Sequence, residues 1–176
     1  MAMGDTKFKF NPIPAKSLDM KDANIYRSDT RTLNVTCEAP IRFALKGVDN
    51  YSGYVKSGSM QDSYGLSTRD KQAVGTHYLF IDPTRTTVNN KAAVLLQSAV
   101  GAAAWVAPSV DVFMPTAASG KQLSLSSPDA PTFEPIAATS ASVALQDVLY
   151  LTKGDDLDLS NKIDFRGSAT IELVYL

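Results

Sequence analysis

The chain has 176 residues, 44% of them hydrophobic and 20% charged, which is ordinary for one globular domain with a real core. A net charge of -1 gives no electrostatic footprint for nucleic acid or an acidic membrane surface. The longest apolar stretch, Ala92 to Ala107, is broken by Gln97, Ser98 and Gly101, so no membrane span is expected.

Met1 to Asp5 lacks a basic region followed by an apolar core, so it is not a signal peptide. We read residues 1–6 as vector-derived and residues 7–176 as one domain. Lys7-Phe8-Lys9-Phe10 alternates and predicts a short strand that Pro12 and Pro14 end. Ala15 to Arg31 is polar without a period and predicts loop with one helical turn. Leu33 to Cys37 predicts a strand, and after Pro40 a second runs from Ile41 to Lys46, with Ile41, Phe43 and Leu45 inward. Cys37 is the only cysteine. It shares a face with Leu33 and Val35, as a small buried hydrophobe does, but a lone cysteine can also be half of a pair.

Gly47 to Gly75 is a long excursion rich in Gly, Ser, Tyr and Asp. Strands are expected at Thr76 to Ile81, Gln122 to Leu125, Ser142 to Ala144 and Asp147 to Leu151. Ala92 to Leu96 is ambiguous between helix and strand, and Ala92 to Ala107 is long enough to supply an extra strand. In the last ten residues Ala169, Ile171, Leu173 and Tyr175 alternate with polar neighbours, which predicts a half-buried strand running to the chain end. Many short strands, frequent Pro and Gly, and no convincing amphipathic helix predict an all-β sandwich or barrel.

Chemistry is hard to find. His77 is the only histidine and has no second ligand nearby in sequence, so it reads as structural or surface. Asp156-x-Asp158-x-Ser160 begins like a calcium loop, but Asn161 and Gly167 stand where glycine and glutamate are needed; a solvated turn is expected. No catalytic constellation, phosphate loop, metal site or cofactor motif is present, so no enzyme is expected. Tyr51, Tyr54 and Tyr64 lie beside Asp49, Asn50 and Asp62, a composition that suits sugar binding and equally suits a packed-down loop.

A series of segments carries a family resemblance: Ile13 to Leu18, Thr36 to Pro40, Phe43 to Leu45 with Asp49-Asn50, Tyr64 to Leu66, Leu157 to Ser160, and above all Gly167 to Leu176. It resembles the fimbrial-like, pilin-related proteins of proteobacterial chaperone–usher systems, a family labelled a domain of unknown function. The likeness is weakest between Thr84 and Thr139. It implies an immunoglobulin-like, pilin-type β-sandwich, incomplete for want of its last strand and carrying a long insertion. It implies a groove beside the final strand, lined by Ala169, Ile171, Leu173 and Tyr175. A periplasmic chaperone, then a neighbouring fimbrial subunit delivered through an usher, fills that groove with a strand, and the Leu176 carboxylate anchors the chaperone. It implies passage through the periplasm to a cell-surface fimbrium. The resemblance also implies that Cys37 has lost a disulfide partner placed before the first strand. The alternative is a tip adhesin that binds a glycan through the Gly47–Gly75 excursion, with Tyr51, Tyr54 and Tyr64 as its ligand surface.

Overall fold

The computed structural model describes all residues except Met1, Gly4, Asp5, Ser57 and Val110. Among the described residues the chain is all-β: two antiparallel sheets pack as a sandwich, with five single turns of 3-10 helix as connectors.

The first sheet is built around two long strands, β3 (Arg31–Ile41) and β12 (Ala138–Leu151). It runs β1 (Ala2–Met3), β3, β12, β6 (Ala73–Ile81), β5 (Tyr64–Thr68), β13 (Phe165–Arg166). The short β2 (Asn24–Arg27), β7 (Thr87–Val88), β8 (Lys91–Ala92) and β10 (Val112–Phe113) extend it. The second sheet is ordered β14 (Ala169–Tyr175), β4 (Phe43–Asp49), β11 (Lys121–Ser126), β9 (Val94–Ala99).

Several expectations need correction. Lys7 to Phe10 forms no strand; Phe8 and Phe10 instead lay half-buried rings against the core. Alternation alone cannot supply a ladder partner. Pro40 does not interrupt β3, because it falls where the pairing with β12 slips between Ala138 and Ser140, so no regular ladder bond is lost there. The polar stretch before residue 31 contains β2, which lengthens the β12 ladder at Val148 to Leu151. The long excursion shrinks to residues 50–63, since β5 and the start of β6 belong to the sheet. Ser142 to Ala144 and Asp147 to Leu151 are parts of one strand. Ala2 and Met3, within the stretch read as vector-derived, pair with Thr36 and Val35; Met1, Gly4 and Asp5 lie outside the described residues.

The core has two parts. The larger gathers Leu33, Val35, Phe43, Leu45, Tyr64, Leu79, Leu123, Val143 and Leu145 among others, and Cys37 is buried in it. The smaller holds Leu66, Val74, Leu149 and Leu151. His77 and Asp147 fall between them: Leu145 of the larger cluster and Leu149 of the smaller flank Asp147 on one face of β12.

Candidate functional site: the free edge of the last strand

Chain order explains why β14 ends up at an edge. The strand leaves β13 in the first sheet, crosses at Gly167 and Ser168, and lies antiparallel to β4 from Ala169↔Asp49 to Tyr175↔Phe43. On β4's other side sits β11. Among the described residues, no strand pairs with the outer side of β14.

The register says which groups this leaves free. At one end the Asn50 N–H donates to Ser168 O (3.0 Å), and at the other the Leu176 N–H donates to Arg42 O (3.1 Å). Bonded pairs in an antiparallel ladder alternate, so the even-numbered residues of β14 bond β4. The N–H and C=O groups of Ala169, Ile171, Leu173 and Tyr175 therefore point to the unpaired side. The side chains of Ala169, Ile171 and Leu173 face the larger core cluster yet remain half-buried. Leu45, directly opposite Leu173 and flanked by strands on both sides, is 0% exposed. The same kind of side chain on the same face thus loses cover only where a neighbouring strand is lacking. Tyr175 is 66% exposed and Leu176 50%, so the alternation breaks down at the chain end, past the rim of the core.

The outer face of β14 is tied to its one partner. Glu172 and Lys46 stand opposite each other and pair at 3.1 Å, and Asn50 Nδ2 donates to Ser168 Oγ (3.0 Å) and Thr170 Oγ1 (3.2 Å).

Beyond Gly167 the sandwich end holds a cleft of about 670 Å³. Phe8, Phe10 and Ile13 line one wall and Leu157, Ile163 and Phe165 the other. Sequence reading missed this feature. Its signal was present in the alternating Phe8 and Phe10, which found apolar neighbours without a ladder.

The tyrosines divide. Tyr64 is fully buried, and its hydroxyl donates to Met114 O (3.1 Å), so it is no part of a ligand surface. Burial, and then the carboxylates of Asp62, Asp49 and Asp147, hold its hydroxyl firmly protonated. A residue opposite His77 in the β5–β6 ladder faces the core, whatever its loop-like neighbours suggest. Tyr51 and Tyr54 are half-buried, with ring centroids 6.0 Å apart. The Asp49 carboxylate is taken up by the backbone N–H groups of Tyr51 (2.8 Å) and Gly65 (2.8 Å). Asp155, Asp156 and Asp158 sit around a 3-10 turn, where Asp155 pairs with Lys21, Asp156 accepts from Thr152 (3.0 Å), and Asp158 from Ser160.

In comparisons with family models, curated proteins and solved structures, nothing matches this chain.

Proposed function

We propose that this protein is a non-enzymatic subunit or minor component of a bacterial surface fimbria, assembled by strand addition along the free edge of β14. One observation supports this reading above the others: a row of backbone donors and acceptors at Ala169, Ile171, Leu173 and Tyr175 lies directly over half-covered core side chains. A bare edge of this kind is a hazard unless a partner covers it, and an added strand would satisfy both ladder and core at once.

Strand order agrees with the reading. β1-β3-β12-β6 facing β14-β4-β11-β9 supports reading the sandwich as immunoglobulin-like and one strand short beside β14. The missing strand would come from a periplasmic chaperone during export and from a neighbouring subunit after the usher. Leu176 is 50% exposed, which supports a chaperone contact at this residue. The glycan-binding alternative retains Tyr51 and Tyr54, having lost Tyr64 to the core and the Asp49 carboxylate to the backbone.

The test is to add peptides of alternating apolar and polar residues, and separately the cognate chaperone, and to follow thermal unfolding. Saturation at a hundred times Kd stabilises by about 2.7 kcal/mol, a rise of roughly 5–10 °C in a chain of this size. If neither peptides nor chaperone raise the melting temperature, strand addition at β14 is wrong.

A further inference from the structure

The only histidine of the chain lies where β14 enters the second sheet. His77 is 5% exposed, and its Nδ1 lies 2.9 Å from Asp147 Oδ1, itself on a residue 7% exposed. An ionised carboxylate can only accept, so Nδ1 carries the proton of this bond. The other ring nitrogen, Nε2, is buried and has no hydrogen-bond partner among the described residues.

What covers Nε2 is Gly167. Any side chain at position 167 would collide with Nε2, and its first carbon would lie 2.8 Å from His77 Cδ2. The turn that launches β14 is thus laid directly on the imidazole. The adjoining strand does the same at the ring opposite His77: Gly47 of β4 packs on the Tyr64 hydroxyl, and Tyr64 packs against His77 with centroids 5.4 Å apart. A glycine of the crossing before β14 and a glycine of β4 therefore rest on two adjacent rings of the first sheet.

We propose that His77 is a pH-sensitive latch on the root of β14, closed when the ring holds one proton on Nδ1 and opened when a second proton is added to Nε2. The new N–H would lie against the Gly167 backbone, where the neighbouring Gly65 carbonyl oxygen makes no hydrogen bond to Nε2, and a buried donor left unpaired is unfavourable. Asp147 on β12 attracts the added charge, but it faces Nδ1 and cannot receive the Nε2 proton. From β5 the facing group is Tyr64, which stays protonated. Asp49 at the end of β4 is engaged by the Gly65 and Tyr51 N–H groups, and Asp62 approaches the Thr116 N–H at 3.4 Å. The Arg166 and Arg27 side chains are exposed. None of these offers Nε2 an acceptor. This latch does not depend on any docked strand and can be read on the free protein.

A single histidine makes the test clean, because only one imidazole can contribute to what is followed between about pH 5 and 8. Nitrogen chemical shifts of the ring and amide protection factors are followed by NMR on the intact chain across that range. The expected result is an Nδ1-protonated neutral ring and a loss of about tenfold in protection at Thr170 and Glu172 with the same midpoint as ring protonation. Val143 and Leu145 on β12 should not follow. In His77→Gln the edge protection should become independent of pH. A ring that gains no second proton across that range, an Nε2-protonated neutral ring, unchanged protection at Thr170 and Glu172 through the ring titration, or an equal loss on β12 overturns the latch. These wild-type readings decide the matter even if His77→Gln does not fold.

Discussion

The second sheet has two outer strands, and the chain treats them differently. Along β9 the edge is covered by a returning segment: Gln97 N–H donates to Val106 O (2.8 Å), Val106 N–H to Gln97 O (3.0 Å), and Ser98 Oγ to Ala104 O (2.7 Å). Along β14 no strand pairs with the outer side among the described residues. The stretch Ala92 to Ala107, long enough to fill the gap beside β14, supplies β9 and its cover on the opposite edge instead. Among the described residues β9 thus has part of its edge covered, while β14 exposes a regular ladder over core side chains. An edge covered with available chain and an edge left bare in the same sheet is what a docking strand requires.

The largest effect that sharpens this contrast comes from the cross-strand pair Leu45 and Leu173. Leu45→Ala empties a site closed on both sides and should cost about 2–5 kcal/mol in urea unfolding. Leu173→Ala, half-covered to begin with, should cost about 1–2 kcal/mol, since less area leaves water-free contact. Equal losses at the two positions would mean that β14 is as well covered as β4.

Much of this contrast was legible in the sequence, and the part that was not has a physical cause. The period-two pattern of Ala169 to Tyr175 identified the last strand and the inward Ala169, Ile171 and Leu173, because alternation records which face meets the core, but Tyr175, expected inward, is exposed. Phe43 and Leu45 were placed inward correctly for the same reason. Whether β14 has one neighbour or two leaves no trace in its pattern, since a neighbour bonds through backbone atoms common to all residues. The same limit explains the failed strand at Lys7 to Phe10 and the missed β2. Tyr64 was misplaced on a ligand surface, and His77 was left open between structural and surface roles, because their burial arises across the β5–β6 ladder, between residues thirteen apart in sequence. The pairing of His77 with Asp147, 70 residues away, has no local signal at all.

Proline separates the two sides of β14 more finely. Val174 bonds β4 through its N–H, so Val174→Pro removes a ladder bond and should cost about 3 kcal/mol. Tyr175 turns its N–H to the open side and its side chain to water. Tyr175→Pro should cost less than about 1 kcal/mol in the free protein, as proline is tolerated on an edge whose N–H faces solvent. It should nevertheless weaken stabilisation by an added strand, because it deletes one of the donors that strand would use. A Tyr175→Pro protein as unstable as Val174→Pro would mean that the ladder parity is reversed and the free groups belong to the even-numbered residues.

The smallest effect concerns how firmly β14 is held by its single partner. Lys46 and Glu172 face each other across the ladder at 3.1 Å, on the surface away from the core. The Glu172 side chain is 45% exposed, so solvent screens much of the attraction. A double-mutant cycle of Lys46→Ala and Glu172→Ala should return a coupling of about 0.2–1 kcal/mol, falling further in high salt. That range sets β14's attachment apart from a strand held on two sides: its hold rests on one backbone ladder and the half-covered Ala169, Ile171 and Leu173, with little added by charge. A salt-insensitive coupling well above 1 kcal/mol would reverse that conclusion and make the ion pair a principal clamp on the strand. Weak coupling leaves the edge anchored through groups that an incoming strand does not compete for, because the even-numbered ladder toward β4 and the odd-numbered ladder toward solvent share no donor or acceptor.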